Sequence, residues 1–292
     1  MRSRTPAGPA SPVSTGERES THFPDLFIAA RVLLMPIRGM LRLLVPFVVL
    51  VLVWQLTVAL LHLPSYFYPS PRDVFVAFVQ LIRNGMLPAY TQYSMVRWLV
   101  AIVVAILLAV PFAVTMAFSR KLNDALMPYV NYLSSVAELA WLPLFVLWAG
   151  YGVVSVLLII CYGVFFPVLY NLMLGFRRVP DATIHAVRTL GAGPKDLFFE
   201  VLLPGALPDL VTGLRIGAGY AFRGLIGGEI VAFRGGGGLG LMLFQSLQDK
   251  LTQRTIVAMI VLGVIWLIID HMYLRPLESA TLERWGVLRG PS

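Results

Sequence analysis

Residues 139–176 read LAWLPLFVLWAGYGVVSVLLIICYGVFFPVLYNLMLGF, thirty-eight positions without one charged side chain. A helix needs roughly 20 apolar residues to cross a bilayer. The run is therefore too long for one crossing, and Gly150-Tyr151-Gly152 sits where two crossings would turn back on each other. Two more uncharged runs, 43–61 and 98–118, each match a single crossing. Working outward from these, periodicity and charge place spans at 43–61, 98–118, 125–149, 153–176, 210–233 and 255–273. The chain reads as an all-α polytopic membrane protein of about six transmembrane helices. Composition agrees: 58% of the 292 residues are hydrophobic and 13% are charged, where a soluble domain carries about a quarter charged residues.

The net charge of +8 invites a nucleic-acid reading, but the cations lie between apolar runs, where they set topology instead. With the N-terminus inside, Arg120-Lys121 and Arg177-Arg178 abut spans on the inner side. Arg72, Arg83, Arg234, Lys250 and Arg254 are left outside. Both termini are then expected to be cytoplasmic, as the tails 1–42 and 274–292 flanking a permease domain at 43–273. The first tail is polar and Pro-rich and predicts disorder, with no signal-peptide pattern. The single cysteine, Cys161, excludes disulfides, and four scattered histidines predict no metal site. The run 235–240, Gly-Gly-Gly-Gly-Leu-Gly, lacks the Lys-Ser/Thr of a phosphate loop and predicts a tight turn.

Several residues inside the spans do not suit a plain lipid anchor. The fifth span carries Gly213, Gly217, Gly219, Gly224, Gly227 and Gly228 with Arg215, Arg223 and Glu229. Small residues permit close helix approach, and ionisable groups at membrane depth face a bundle interior or a pathway. The span is expected to line a central interface between two copies. Glu138, Arg223 and Glu229 are the candidates for a translocation path. Arg223 and Glu229 are six residues apart, do not share a helix face, and should meet different neighbours. Pro111, Pro143 and Pro167 can bend three other spans. Between the first two spans, Val74, Phe75, Phe78, Val79 and Ile82 recur at helical spacing over 73–83 and predict a short helix at the interface.

The loop 177–208 is polar yet patterned. Asp181 is placed to cap a helix through His185 and Arg188 that Gly191 ends. Gly193-Pro194 starts a second helix that Pro204 is expected to stop. In the same loop, His185-Ala186-Val187, then three residues, Gly191, nine residues and Val201-Leu202-Leu203-Pro204 reproduce a known spacing. It resembles the EAA loop of ATP-binding-cassette importer permeases: Glu-Ala-Ala, three residues, Gly, nine residues, Ile, one residue, Leu-Pro. His185 stands where that family has Glu, and Val187 where it has the second Ala. Pro69-Ser70-Pro71, 139–143, 188–192, 213–216 and 237–240 are similar to the nitrate, taurine and alkanesulfonate branch.

The resemblance implies the transmembrane subunit of an ATP-driven importer. Its coupling residues would be His185, Ala186, Val187, Arg188, Leu190, Gly191, Leu203 and Pro204. It implies a cytoplasmic ATPase in two copies that uses ATP and Mg, an extracytoplasmic solute-binding protein, a second permease copy and a bacterial inner-membrane location. The cargo would be a small anion such as nitrate, taurine or another sulfonate. This chain holds no Walker sequence and no catalytic constellation, so it is expected to bind no cofactor and to catalyse nothing itself. The alternative is an ion-gradient-driven secondary transporter, which would need inverted repeats and broken helices; no convincing repeat is present.

Overall fold

The computed structural model describes residues 45–61, 64–232 and 236–284, with side chains to 281. The expected N-terminal tail 1–42, Phe233 to Gly235 and the residues beyond 284 lie outside them. The described residues are helical: α1 (Val45–Leu61), α2 (Pro71–Arg83), α3 (Met86–Phe118), α4 (Arg120–Ser135), α5 (Leu142–Ala149), α6 (Val153–Arg178), α7 (Asp181–Thr189), α8 (Pro194–Asp196), α9 (Leu203–Val231), α10 (Leu239–Gln248), α11 (Thr252–Ile268) and α12 (Arg275–Arg284). Four rods are long and apolar enough to cross a membrane: Met86–Phe118, Val153–Arg178, Pro194–Val231 and Thr252–Thr281. Their outward faces carry Leu99, Val103, Leu107, Met259, Val264 and Leu267, an apolar surface that lipid covers without cost. Considered by itself, α1 is a 17-residue apolar helix.

The third expected span, 125–149, is not one straight helix. The chain breaks at Val136-Ala137, passes through a 3₁₀ turn at Glu138–Trp141, and α4 and α5 stand 93° apart. With that bent pair counted as one, up to five segments among the described residues are long and apolar enough to cross a membrane. The hairpin at Gly150 forms as expected. Gly150 ends α5 at φ +75, a left-handed conformation that favours glycine. The buried Ser155 hydroxyl ties the turn by donating to the carbonyl of Gly150 at 2.6 Å.

The central pair is α6 and α9, and the glycines of α9 are used between them. A Cβ on Gly213 would sit 2.8 Å from the Pro167 carbonyl, on Gly217 3.1 Å from Val164 Cα, and on Gly228 3.4 Å from Val156 Cγ1. Gly175 of α6 returns the contact at Ala206. Backbones this close gain dispersion along the whole crossing. Packing inside one subunit accounts for Gly213, Gly217 and Gly228.

Two more expectations are corrected at prolines. The second loop helix does not stop at Pro204, because α8, a π-helical stretch Leu197–Leu202 and α9 run on as one rod from Pro194 to Val231. A proline ring collides with the carbonyl four residues back in a regular α-helix, and a wider π turn just before it makes room. The same device recurs at Ile269–Leu274, two residues before Pro276. The chain after 273 therefore does not begin as a tail. It continues as α12, and Glu278 reaches back to Arg215 of α9 at 2.5 Å.

Candidate functional site

Sequence reasoning singled out charged residues in the membrane and a loop outside it, and the structure sorts them into three places. Glu229 is fully buried. Its carboxylate accepts from Arg97 Nη1 at 2.6 Å, from Ser94 Oγ at 2.8 Å and from the Gly240 amide at 2.9 Å. Ser94 in turn accepts from the Leu239 amide at 2.9 Å. An anion at the start of α10 gains from the unpaired amides and the helix dipole. The glycine run permits this approach: a Cβ on Gly238 would lie 2.7 Å from the Glu229 carboxylate, and one on Gly240 2.7 Å from the Ile226 carbonyl. Gly236 turns the chain at φ +87, so the tight-turn reading holds for part of the run, and the rest serves packing. Ser94 and Arg97 were missed because nothing in the sequence links them to a residue more than 130 positions away. Placed this way, Glu229 is a staple between α3, α9 and α10.

Glu138 and Arg223 are in open positions. Glu138, at the break between α4 and α5, is half-buried and lines a cavity of about 390 Å³ with Tyr162, Tyr170 and Tyr220. Arg223 is exposed on α9. Its guanidinium lies 5.0 Å over the Tyr220 ring, and its Nε reaches the Gly219 carbonyl at 3.4 Å. Arg215, on the same helix, is fully engaged with Asp270 at 2.9 Å and Glu278 at 2.5 Å. Arg275 adds a second contact to Asp270 at 2.7 Å. These charges join α9 to the end of the last rod.

The third place is the elbow at α7. Asp181 is the first helical residue rather than the cap. Pro180 occupies the cap position, so the acid acts through the helix dipole. His185, Ala186 and Arg188 are exposed, while Val187, Leu203 and Pro204 are half-buried. Gly191 takes φ +91. The Ala192 amide donates to the Val187 carbonyl at 3.3 Å, and the Gly191 amide to Arg188 at 3.0 Å. These two bonds are a Schellman ending, for which a residue at positive φ is required. The Gly193 amide then donates to Asp196 at 2.9 Å, and Pro194 opens the next helix. Leu190 is 87% exposed at the tip, the most exposed large hydrophobic side chain among the described residues. Behind the elbow, Ile184 and Arg188 line a cavity of about 480 Å³ with Phe118, Phe176 and Leu197.

Apolar rods closed by glycine packing, a polar breach at a broken crossing and a capped elbow outside the bundle together define a multi-pass membrane transport component. Residues 102–274 match the family of binding-protein-dependent transport system inner membrane components. The chain belongs to that family, the permease subunits of ATP-binding-cassette importers. It is 34% identical over 79% of its length to the taurine transport system permease protein TauC of Escherichia coli (strain K12), covering 84% of that protein. It is 30% identical over 80% of its length to SsuC of Bacillus subtilis (strain 168), named for aliphatic sulfonates transport, covering 84% of it. It is 28% identical over 79% of its length to the nitrate import permease protein NrtB of Synechocystis, covering 85% of it. These relatives place the chain in the nitrate, taurine and sulfonate branch, as a multi-pass inner-membrane protein. Membership implies an ATPase and a binding protein as partners and stands against the ion-gradient alternative.

Proposed function

We propose that the chain forms the translocation path for a small acid such as nitrate, taurine or another sulfonate, and that α7 with Gly191 is its coupling element. Two permease copies would assemble with two copies of a cytoplasmic ATPase, which binds ATP and Mg and hydrolyses the nucleotide. A soluble protein would deliver cargo from the other side. In this arrangement both termini and the elbow are cytoplasmic, and the 17-residue helix α1 supplies a sixth crossing.

One observation supports the coupling role above the rest. Leu190 projects at 87% exposure from a helix end whose own hydrogen bonds are complete. An apolar side chain held rigidly in water gains free energy when a partner groove covers it, roughly 1.5–3 kcal/mol for a leucine. The loop spacing that resembles the EAA pattern ends at the same glycine. Gly191→Val tests the reading, because a β-branched residue at positive φ costs about 1–3 kcal/mol of local strain. Nothing lies within 4 Å of a Cβ added there, so strain alone is introduced. The variant should insert and fold as the native permease does, yet lose co-purification with the ATPase or substrate-stimulated hydrolysis and uptake. Normal assembly, stimulation and uptake would remove the elbow from the coupling path.

A further inference from the structure

The elbow does not rest on packed core. None of the nine residues of α7 is buried, and a helix that short is marginal unless something packs against it. Beneath it lies the cavity of about 480 Å³ bounded by the ends of α3 and α6, the start of α4 and the π-helical stretch Leu197–Leu202. Ile184 and Arg188 form its α7 side. Two kinds of surface meet in this space. The inner wall is apolar, built from the buried Met116, Met173, Phe176, Leu197 and Leu202. Arg120, Arg177 and Arg188 line the same cavity and are exposed.

These guanidiniums are poorly matched. Asp124 is the carboxylate among the lining residues, and it meets Arg120 at 4.0 Å between two exposed side chains, a pairing that contributes little. Arg177 and Arg188 make no side-chain hydrogen bond or ion pair among the described residues. Arg178, the next residue after Arg177, is by contrast held by the buried Asp209 at 2.7 Å. Position adds to charge. α3 ends at Phe118 and α6 at Arg178, and both rods are long and apolar enough to cross a membrane. The cavity therefore opens where a crossing leaves the hydrocarbon, the level at which lipid headgroups lie. Phe118, which lines the cavity, is itself exposed, so the apolar wall continues to the outer surface of α3. A free inorganic anion would answer the arginines and leave that wall in water. An anionic amphiphile answers both.

We propose that this cavity is a site for an anionic phospholipid of the leaflet on the elbow's side, its phosphate among Arg120, Arg177 and Arg188 and its apolar part against the inner wall. Lipid held there joins α7 to α3, α4 and α6 and stiffens the elbow, so coupling follows the anionic lipid of that leaflet. The site rests on the geometry alone, and its regulatory consequence rests on the coupling reading of α7. The test uses the full-length permease, stripped of lipid in detergent. It is titrated with short-chain phosphatidylglycerol, phosphatidylcholine or inorganic phosphate, and bound lipid is read by native mass spectrometry. Phosphatidylglycerol should bind saturably and about tenfold or more tighter than phosphatidylcholine, and inorganic phosphate should not displace it. Arg177→Gln should weaken that binding about fivefold or more. Lys121→Gln removes a cation next to Arg120 that does not line the cavity, and it should bind as the native chain does. Both variants should keep the native melting temperature. In nanodiscs with the ATPase and binding protein, phosphatidylglycerol should raise substrate-stimulated hydrolysis for the native permease more than for Arg177→Gln. Equal binding of the two lipids, displacement by inorganic phosphate, native binding in Arg177→Gln, or equal losses in the two variants would each overturn the site. Displacement of the lipid by the ATPase alone would assign the cavity to a protein contact instead. Stimulation indifferent to a lipid that binds would overturn the regulatory role. Expected binding with no stimulation in any lipid would uphold the site and overturn the coupling reading.

Discussion

The rod from Pro194 to Val231 ends in two contrasting places. At the Glu229 end a carboxylate is enclosed by a guanidinium, a hydroxyl and a backbone amide, and glycines admit the surrounding chain without a gap. At the Gly191 end the preceding helix is equally complete in its backbone hydrogen bonds, yet it holds Leu190 out in solvent. Among the described residues, the polar groups of the first end are turned inward on one another, and the second end turns an apolar side chain outward. The contrast separates residues that keep the bundle in one arrangement from residues that, in the proposed coupling, would pass motion to another protein.

The contrast breaks most visibly at Glu229. Removing the acid leaves Arg97 buried without its partner, which in comparable sites costs about 3–5 kcal/mol. Glu229→Ala should therefore lower the melting temperature in detergent steeply or abolish a folded peak on gel filtration. Replacing both residues, as in Arg97→Met with Glu229→Met, should recover much of that loss. A Glu229→Ala permease of native stability with impaired uptake would move Glu229 from staple to pathway.

Gly238→Ala is the next largest. The added methyl would fall 2.7 Å from the Glu229 carboxylate, and overpacking of this kind costs about 1–3 kcal/mol. Thermal unfolding should show it, with coupling per folded molecule unchanged. The elbow should behave in the opposite sense: Gly191→Val leaves bundle unfolding near native while uptake falls. The smallest effect is expected from His185→Glu. The residue is exposed in α7, and the family's acid there should leave both stability and uptake near native. A large loss in that variant would show that the histidine carries a role the family's acid does not.

Much of this was legible in the sequence because it rests on local rules. Uncharged runs marked the crossings, the Gly-Tyr-Gly break marked the hairpin, and Gly191 and Pro194 marked the elbow through the backbone conformations they favour. The failures share another cause. The break at Val136-Ala137 carries neither glycine nor proline, and the two π stretches depend on how a later proline is accommodated. The glycines of α9 announced close approach but could not say to what; only the facing surface of α6 shows that. Glu229 and Glu138 look alike as acids in apolar sequence. Their difference lies in Ser94 and Arg97, which are distant in the chain and adjacent in space.

Leu190→Asp offers the most direct test of the central claim that the elbow transmits ATP-driven motion. The substitution touches nothing inside the bundle, since Leu190 is 87% exposed, and it sets a charge where a partner groove must be apolar. Substrate-stimulated ATP hydrolysis by the permease reconstituted with its ATPase and binding protein is the quantity to follow, beside the melting temperature of the same preparation. Losing a buried leucine contact of roughly 1.5–3 kcal/mol predicts assembly weakened by about tenfold or more, with stimulation lost and the melting temperature unchanged. Native stimulation in Leu190→Asp at the same ATPase concentration would contradict the account.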